Sequence, residues 1–322
     1  MAADKRVKIV VPGDSPVQIA GSPHLDKLKP YGDVVLYSDR PGSVEEKINR
    51  ALDAAVIMNT RGAVTWGEPE FSQLPTLKMI TSCSIGTDMF DLEAARKHGV
   101  VICNQPGRTA PVVAEHMFGL MFSLAKRTAF LTAQMKAGHW PRMNNIMLQG
   151  KTLGIIGTGN IGAEMARLAR AIGMNVIAWT FHPSPEREQK LGVRFVELDT
   201  LLKTADVVSL HVALTKDTRG LIGKRELNLM KEGALLLNGA RGAIVDTAAL
   251  SEVLKSGHLG GAGMDVYDQE PPPVDHPLFS CDQVILTPHC ADMTPEGVDW
   301  LNSGAVENVI AFLEGRPKNR VT

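Results

Sequence analysis

Three charged residues each follow a short apolar run: Arg241 in Asn238-Gly239-Ala240-Arg241-Gly242, Glu270 before Pro271, and His289 after Pro288. Their types suit reduction of a carbonyl by hydride. That reaction needs one group to fix the substrate, one to polarise its oxygen and one to deliver a proton as charge develops. Arginine offers a permanent planar fork that matches a carboxylate and the carbonyl beside it. Histidine gives up a proton near neutral pH, and an adjacent carboxylate holds its ring and favours its charged form. Spacing alone leaves a structural role open for each.

A hydride needs a carrier, and the stretch Thr152 to Gly162 can hold one. An apolar run ends in Gly157-x-Gly159-x-x-Gly162, and Ile161, Met165, Leu168, Ala169 and Ile172 then recur at the spacing of one helix face. A second apolar run, Asn175 to Trp179, follows Gly173. Strand, glycine turn, helix and strand within about 30 residues form the context that makes this motif a dinucleotide site. The first glycine permits the turn, the second lets backbone reach a pyrophosphate, and the third lets helix press on strand. The helix N-terminus adds free amides and a positive dipole. About 20 residues after the glycines an acid normally binds the ribose hydroxyls. Here the chain reads Ala178-Trp179-Thr180-Phe181-His182, so NAD or NADP stays open, with His182 and Arg187 able to approach a 2′-phosphate.

The elements that position these residues alternate between strand and helix. Apolar runs at Val7–Val11, Val34–Tyr37, Ala54–Met58, Leu77–Ser82 and Val100–Cys103 predict a first α/β domain with a parallel sheet. The loop Ser82-Cys83-Ser84-Ile85-Gly86-Thr87-Asp88 follows one of those strands, and small residues there let successive amides face a small anion; an ordinary polar loop is the alternative. Thr109 as N-cap and Pro111 in the first turn predict a long helix. On it Glu115 and His116 read as structural or interfacial. Residues 138–150, with Trp140, read as an arm suited to a dimer contact. Further strands are expected at Val193–Val196, Val207–Leu210, Ala234–Leu237, Gly260–Asp265 and Val284–Leu286. Helices fit Lys224–Met230 and Asp246–Ser256, and Thr294-Pro295-Glu296 opens a last helix.

At 322 residues the chain suits two domains. Its 34 basic and 35 acidic residues favour neither nucleic acid nor an anionic membrane surface. The start shows no signal peptide and no run reaches the ~18 residues of a membrane span. Cys83, Cys103, Cys281 and Cys290 lack paired metal spacing, so no metal is expected, and they read as buried, reduced thiols of a cytoplasmic protein.

From Ser82 to about Ala291 the chain resembles the D-isomer-specific 2-hydroxyacid dehydrogenase family. The carrying pieces are Gly150 to Gly162, Leu210-His211 with Thr215, Asn238 to Gly242, Met264-Asp265-Val266-Tyr267 followed by Glu270-Pro271, and Thr287-Pro288-His289. The resemblance implies an α/β fold of two Rossmann-like domains with parallel sheets. The substrate domain would be discontinuous (1–103 and 295–322) and the NAD(P) domain would span 104–294. It implies that Arg241 binds a 2-oxo acid, that His289 is the acid/base and that Glu270 pairs with it. Amides of Ser84, Ile85 and Gly86 would bind the carboxylate. Gly157, Gly159, Asn160, Ile161, Gly162, Thr180, His211, Ala240 and Asp265 would line the cofactor, with Asp265 on the nicotinamide carboxamide. Homodimers are usual. Ala213 and Thr180 depart from the family pattern. Asn59 and Ser82, where phosphoglycerate dehydrogenases usually carry arginine, argue against that substrate, and Glu270 argues against formate. Two other readings stay open: a corepressor-like dinucleotide sensor, and a dehydrogenase for phosphite or a sugar acid.

Overall fold

The computed structural model describes residues 6–62 and 64–322. The expectation of no leader segment falls partly on residues 1–5, outside the described residues. Two compact units divide the chain, Met1–Thr109 with Met293–Thr322, and Ala110–Asp292.

In the first unit β1 (Val7–Val11), β2 (Gly32–Leu36), β3 (Val56–Asn59), β4 (Met79–Ser82) and β5 (Val101–Cys103) form one parallel sheet in the order β2-β1-β3-β4-β5. Every residue of β3 and β4 is buried. A parallel strand covered on both faces is mostly apolar, which is why these strands read as near-continuous runs, with Asn59, Thr81 and Ser82 as buried polar exceptions. Alternation still sorts the faces. Val10, Ile57 and Ile80 pack with Ile48 and Ala51 of the helix Val44–Ala51 and with Ala94 and Ala95 of the helix Leu92–Lys97. Ile9, Val11, Val56, Met58 and Met79 face Ala305, Val306 and Val309 of the last helix, Pro295–Leu313. Thr294 caps that helix by accepting the Gly297 amide at 3.0 Å, as its sequence predicts.

The second unit holds β6 (Thr152–Ile156), β7 (Asn175–Trp179), β8 (Arg194–Phe195), β9 (Val207–Leu210), β10 (Leu235–Asn238), β11 (Gly261–Met264) and β12 (Val284–Leu286). They form a parallel sheet in the order β12-β11-β10-β9-β6-β7-β8. The strand order reverses beside β6, and ligands of such sheets gather beyond the carboxyl ends at that reversal. One face packs Leu210 and Leu236 with Leu201, Leu250 and Leu254. The other packs Leu153, Ile155 and Leu237 with Met117, Met121 and Met165.

One local expectation fails, and one helix was not anticipated. The helix Ala110–Lys126 begins after Thr109, whose hydroxyl is buried without a hydrogen-bond partner among the described residues, so the expected cap is not made. A separate helix, Thr128–Lys136, also follows it, set off by Arg127 at φ 52°. Nothing in the apolar spacing marks that break.

Candidate active site

Because the seven strands of the second unit are parallel, their carboxyl ends share one edge, and this unit's candidate residues lie there. Gly157 leaves β6 at φ +96°, a conformation suited to glycine. A Cβ at Gly162 would stand 2.1 Å from the Gly157 carbonyl oxygen, so helix and turn touch as the third glycine requires, whereas a Cβ at Gly159 would meet nothing within 4 Å. Gly159 caps the helix Asn160–Ala171 without a side-chain bond, leaving the first amides, near Asn160 and Ile161, for an anion. This edge therefore fits a dinucleotide pyrophosphate.

Arg241, Glu270 and His289 come together beyond β10, β11 and β12. His289 Nδ1 lies 2.6 Å from Glu270 Oε2, and Glu270 Oε1 accepts the Tyr267 amide at 3.1 Å. The hydrogen bond to Glu270 raises the His289 pKa, against the effect of its burial. Burial would raise the Glu270 carboxyl, but the hydrogen bond and charge of His289 outweigh it and leave the pKa lowered. The Arg241 guanidinium acts on both groups, favouring the charged carboxylate and opposing the charged imidazole. Its loop is pressed against theirs by backbone: a Cβ at Gly242 would stand 2.0 Å from the Tyr267 carbonyl carbon. His289 itself sits at φ 50°, an uncommon conformation for a residue with a side chain and one that clusters at functional sites. Nδ1 faces Glu270, so a ligand would be met by Nε2.

Asp265, at the end of β11, is 1% exposed and richly bonded. It accepts Thr287 Oγ1 at 2.6 Å and the amides of Cys290 and Ala291, each at 3.0 Å. Burial raises its pKa, but bonds from His116, Thr287 and those amides leave it lowered, so it stays a carboxylate. A carboxylate has about four acceptor positions, and these four donors already engage them. Ala240 is buried, its amide held by Asn238 Oδ1 at 3.0 Å.

Along the same edge His211 turns its ring inward, with Nε2 at 2.8 Å from Ser209 Oγ. Burial pushes its pKa down to about 3, so a neutral imidazole stands there and offers no charge to a phosphate. Thr180 follows β7, its hydroxyl 3.4 Å from Arg187 Nη1.

In the first unit, the loop after β4 is held by its carbonyls. Ser84 O accepts the Gln105 amide at 3.1 Å, Ile85 O accepts Asn104 Nδ2 at 2.7 Å, and Gly86 O accepts Ser84 Oγ at 3.3 Å. Among the described residues the amides of Ser84, Ile85 and Gly86 make no hydrogen bond, which leaves them for an anion. Asn59 is committed internally, to Val64 O at 3.0 Å and to the Trp66 indole at 3.3 Å.

The profile of the D-isomer specific 2-hydroxyacid dehydrogenase NAD binding domain matches residues 118–291. The chain belongs to the D-isomer specific 2-hydroxyacid dehydrogenase family. Such a dehydrogenase is an oxidoreductase that moves hydride between a nicotinamide dinucleotide and a 2-oxo acid or D-2-hydroxy acid. It is 37% identical over 290 residues to a glyoxylate reductase of Thermococcus litoralis, covering 87% of this chain and 86% of that one. It is 42% identical over 245 residues to a D-3-phosphoglycerate dehydrogenase of Archaeoglobus fulgidus, but spans only 46% of that relative's length. The structure of a glyoxylate reductase from Paecilomyes thermophila matches with a TM-score of 0.89, 29% identity, and coverage of 99% of both chains. These relatives favour the dehydrogenase over the corepressor-like alternative.

Sequence reasoning missed two neighbours of the dehydrogenase site. His116, read as structural or interfacial, has Nε2 at 3.0 Å from Thr287 Oγ1 and 3.5 Å from Asp265 Oδ1. Tyr267 donates its hydroxyl to Thr287 O at 3.0 Å. Cys290 was expected to be buried; it is half-buried, while Cys83, Cys103 and Cys281 are buried. Ligand atoms of His116, Asp265 and Cys290 lie within 4.8 Å of one another, a spacing that would admit a metal ion. The Asp265 oxygens already serve four donors there, which weighs against that use. Among the described residues no helix is long and apolar enough to cross a membrane.

Proposed function

We propose that this dehydrogenase reduces a small 2-oxo acid, with glyoxylate first in line, and that Arg241, Glu270 and His289 do the work. One observation carries the reading: the 2.6 Å Glu270–His289 pair with the Arg241 charge acting on both, on the sheet edge that bears the glycine turn. Its relatives named as glyoxylate reductases support the substrate size. Bound nicotinamide supplies the hydride for carbon 2 of the acid. Arg241 holds the substrate and draws electrons towards its carbonyl oxygen. His289 Nε2 gives that oxygen a proton, and Glu270 keeps the imidazole charged and oriented. Asp265 accepts the carboxamide in place of one of its present donors, and the amides of Ser84 to Gly86 bind carboxylate. Residues 1–103 with 295–322 would serve the substrate, and 104–294 the cofactor.

The test is consumption of NADH and NADPH, followed at 340 nm, with glyoxylate, hydroxypyruvate, longer 2-oxo acids, phosphite and sugar acids. Glyoxylate is expected to turn over fastest. No turnover of any 2-oxo acid would remove the reading.

We further infer a cytoplasmic homodimer. Its support is the apolar surface of the helix Thr128–Lys136 and the arm after it, where Met135, Trp140, Met143 and Met147 are exposed, Trp140 by 76%. Apolar surface concentrated in one segment marks an interface. The four free cysteines suit a reducing compartment. Tagged protein is expected in the cytosolic fraction with the sedimentation mass of two chains; a one-chain mass, or recovery elsewhere, removes this inference.

A further inference from the structure

We infer that the dinucleotide is NADP(H) rather than NAD(H), selected by Arg187 and Thr180 through the 2′-phosphate. The inference rests on the nicotinamide reading above and extends it to the adenosine end, where the sequence left the question open.

In a sheet of this topology the adenosine ribose lies at the end of the second strand, beside the glycine turn. A carboxylate there accepts the ribose 2′-hydroxyl and repels a 2′-phosphate. In this chain Thr180 comes straight after β7, and its hydroxyl can donate to a phosphate oxygen. Beyond it, Arg187 in the helix Pro185–Leu191 folds back over the strand end. Nη2 donates to Thr158 Oγ1 at 2.7 Å and to Thr158 O at 3.2 Å, and Nη1 donates to Thr180 Oγ1 at 3.4 Å and to His182 O. The guanidinium also lies 5.6 Å from the centre of the Phe195 ring. It is thus half-buried and held between the glycine turn and Thr180, where a 2′-phosphate would lie.

Charge decides what the arrangement is for. Among the described residues every hydrogen-bond acceptor of Arg187 is neutral: two threonines and a carbonyl of His182, with the Thr158 carbonyl. The carboxylates flanking it in sequence are engaged elsewhere, Glu188 with the Phe195 amide at 2.5 Å and Glu186 with Ser184. A full positive charge is therefore fixed in place with no carboxylate partner, and a planar fork of donors matches phosphate geometry. A mere brace between the turn and β7 would need no such charge.

Calorimetry without any 2-oxo acid separates this inference from the catalytic one. The intact chain is titrated with NADPH, NADH, adenosine 2′-monophosphate and adenosine 5′-monophosphate. Expected are at least about tenfold tighter binding of NADPH than of NADH, and a preference for the 2′-monophosphate, the scale of one or two charge-assisted bonds. Arg187→Ala is expected to abolish that discrimination while NADH affinity holds, and Thr180→Asp to favour NADH. Equal or reversed affinities in the unaltered protein overturn the inference. So does an Arg187→Ala variant that weakens both cofactors alike, which is the signature of a brace, or a Thr180→Asp variant with unchanged preference. If NADPH binds selectively but no 2-oxo acid is reduced, the proposed reaction falls and this inference stands. Absence of all dinucleotide binding overturns both.

Discussion

His289→Ala is expected to lower turnover of the best 2-oxo acid by at least ~100-fold, the low end of what losing a general acid costs. The loss should fall on kcat, because the imidazole delivers its proton as charge builds on the oxygen rather than in the bound ground state. Since position 289 lies at φ 50°, where alanine is strained, His289→Asn is the companion variant: asparagine tolerates that backbone and carries no comparable acid. Circular dichroism confirms folding and steady-state rates give the answer; near-normal kcat in a folded variant would remove His289 from the chemistry. Glu270→Gln tests the pairing by pH. Glu270 raises the His289 pKa, so the protonated donor persists to higher pH than an isolated histidine would allow. Reduction then declines as pH rises through that raised pKa. Taking away the charge of Glu270 lowers the His289 pKa, so the decline must begin at lower pH. An unmoved profile would count against the pair.

Arg241→Lys is expected to cost about 10²–10³ in kcat/KM, the scale of removing one preorganised donor at a developing oxyanion. Charge is kept, yet the fork is lost, and lysine cannot hold a carboxylate oxygen and a carbonyl oxygen in one plane. A drop confined to KM would mean that Arg241 merely anchors substrate. Equal losses in kcat and kcat/KM place it on the carbonyl. Retention of the full rate with lysine would show that charge alone suffices, and the proposed geometry would fail.

What could be read from the chain was local or repetitive. The glycine turn is legible because three glycines, a helix stripe and two strands lie within one short segment. Both parallel sheets are legible because covered strands are mostly apolar, although their starts are not: Lys78 and Met79 both donate to Ala55 O, so β4 begins later than the apolar run from Leu77. Arg241, Glu270 and His289 could be picked out as strand-end residues with matched chemistry. Other features depend on distant partners. His116 reaches Thr287 across 171 positions, which helix phase does not register. The backbone twist at His289 and the helix break at Arg127 involve residues with no strong preference for that conformation. The unmade cap at Thr109 has the opposite cause, a favourable residue whose hydroxyl was buried instead of bonded.

The contact of Gly242 with Tyr267 fixes main chain against main chain. The gap between the guanidinium-bearing segment and the carboxylate-bearing one is thus inherited from peptide geometry, indifferent to which side chains surround it. Neighbouring residues can drift, and with them the acid that is accepted, while the electrostatic spacing survives. In this scaffold, substrate choice and reaction chemistry are free to evolve separately.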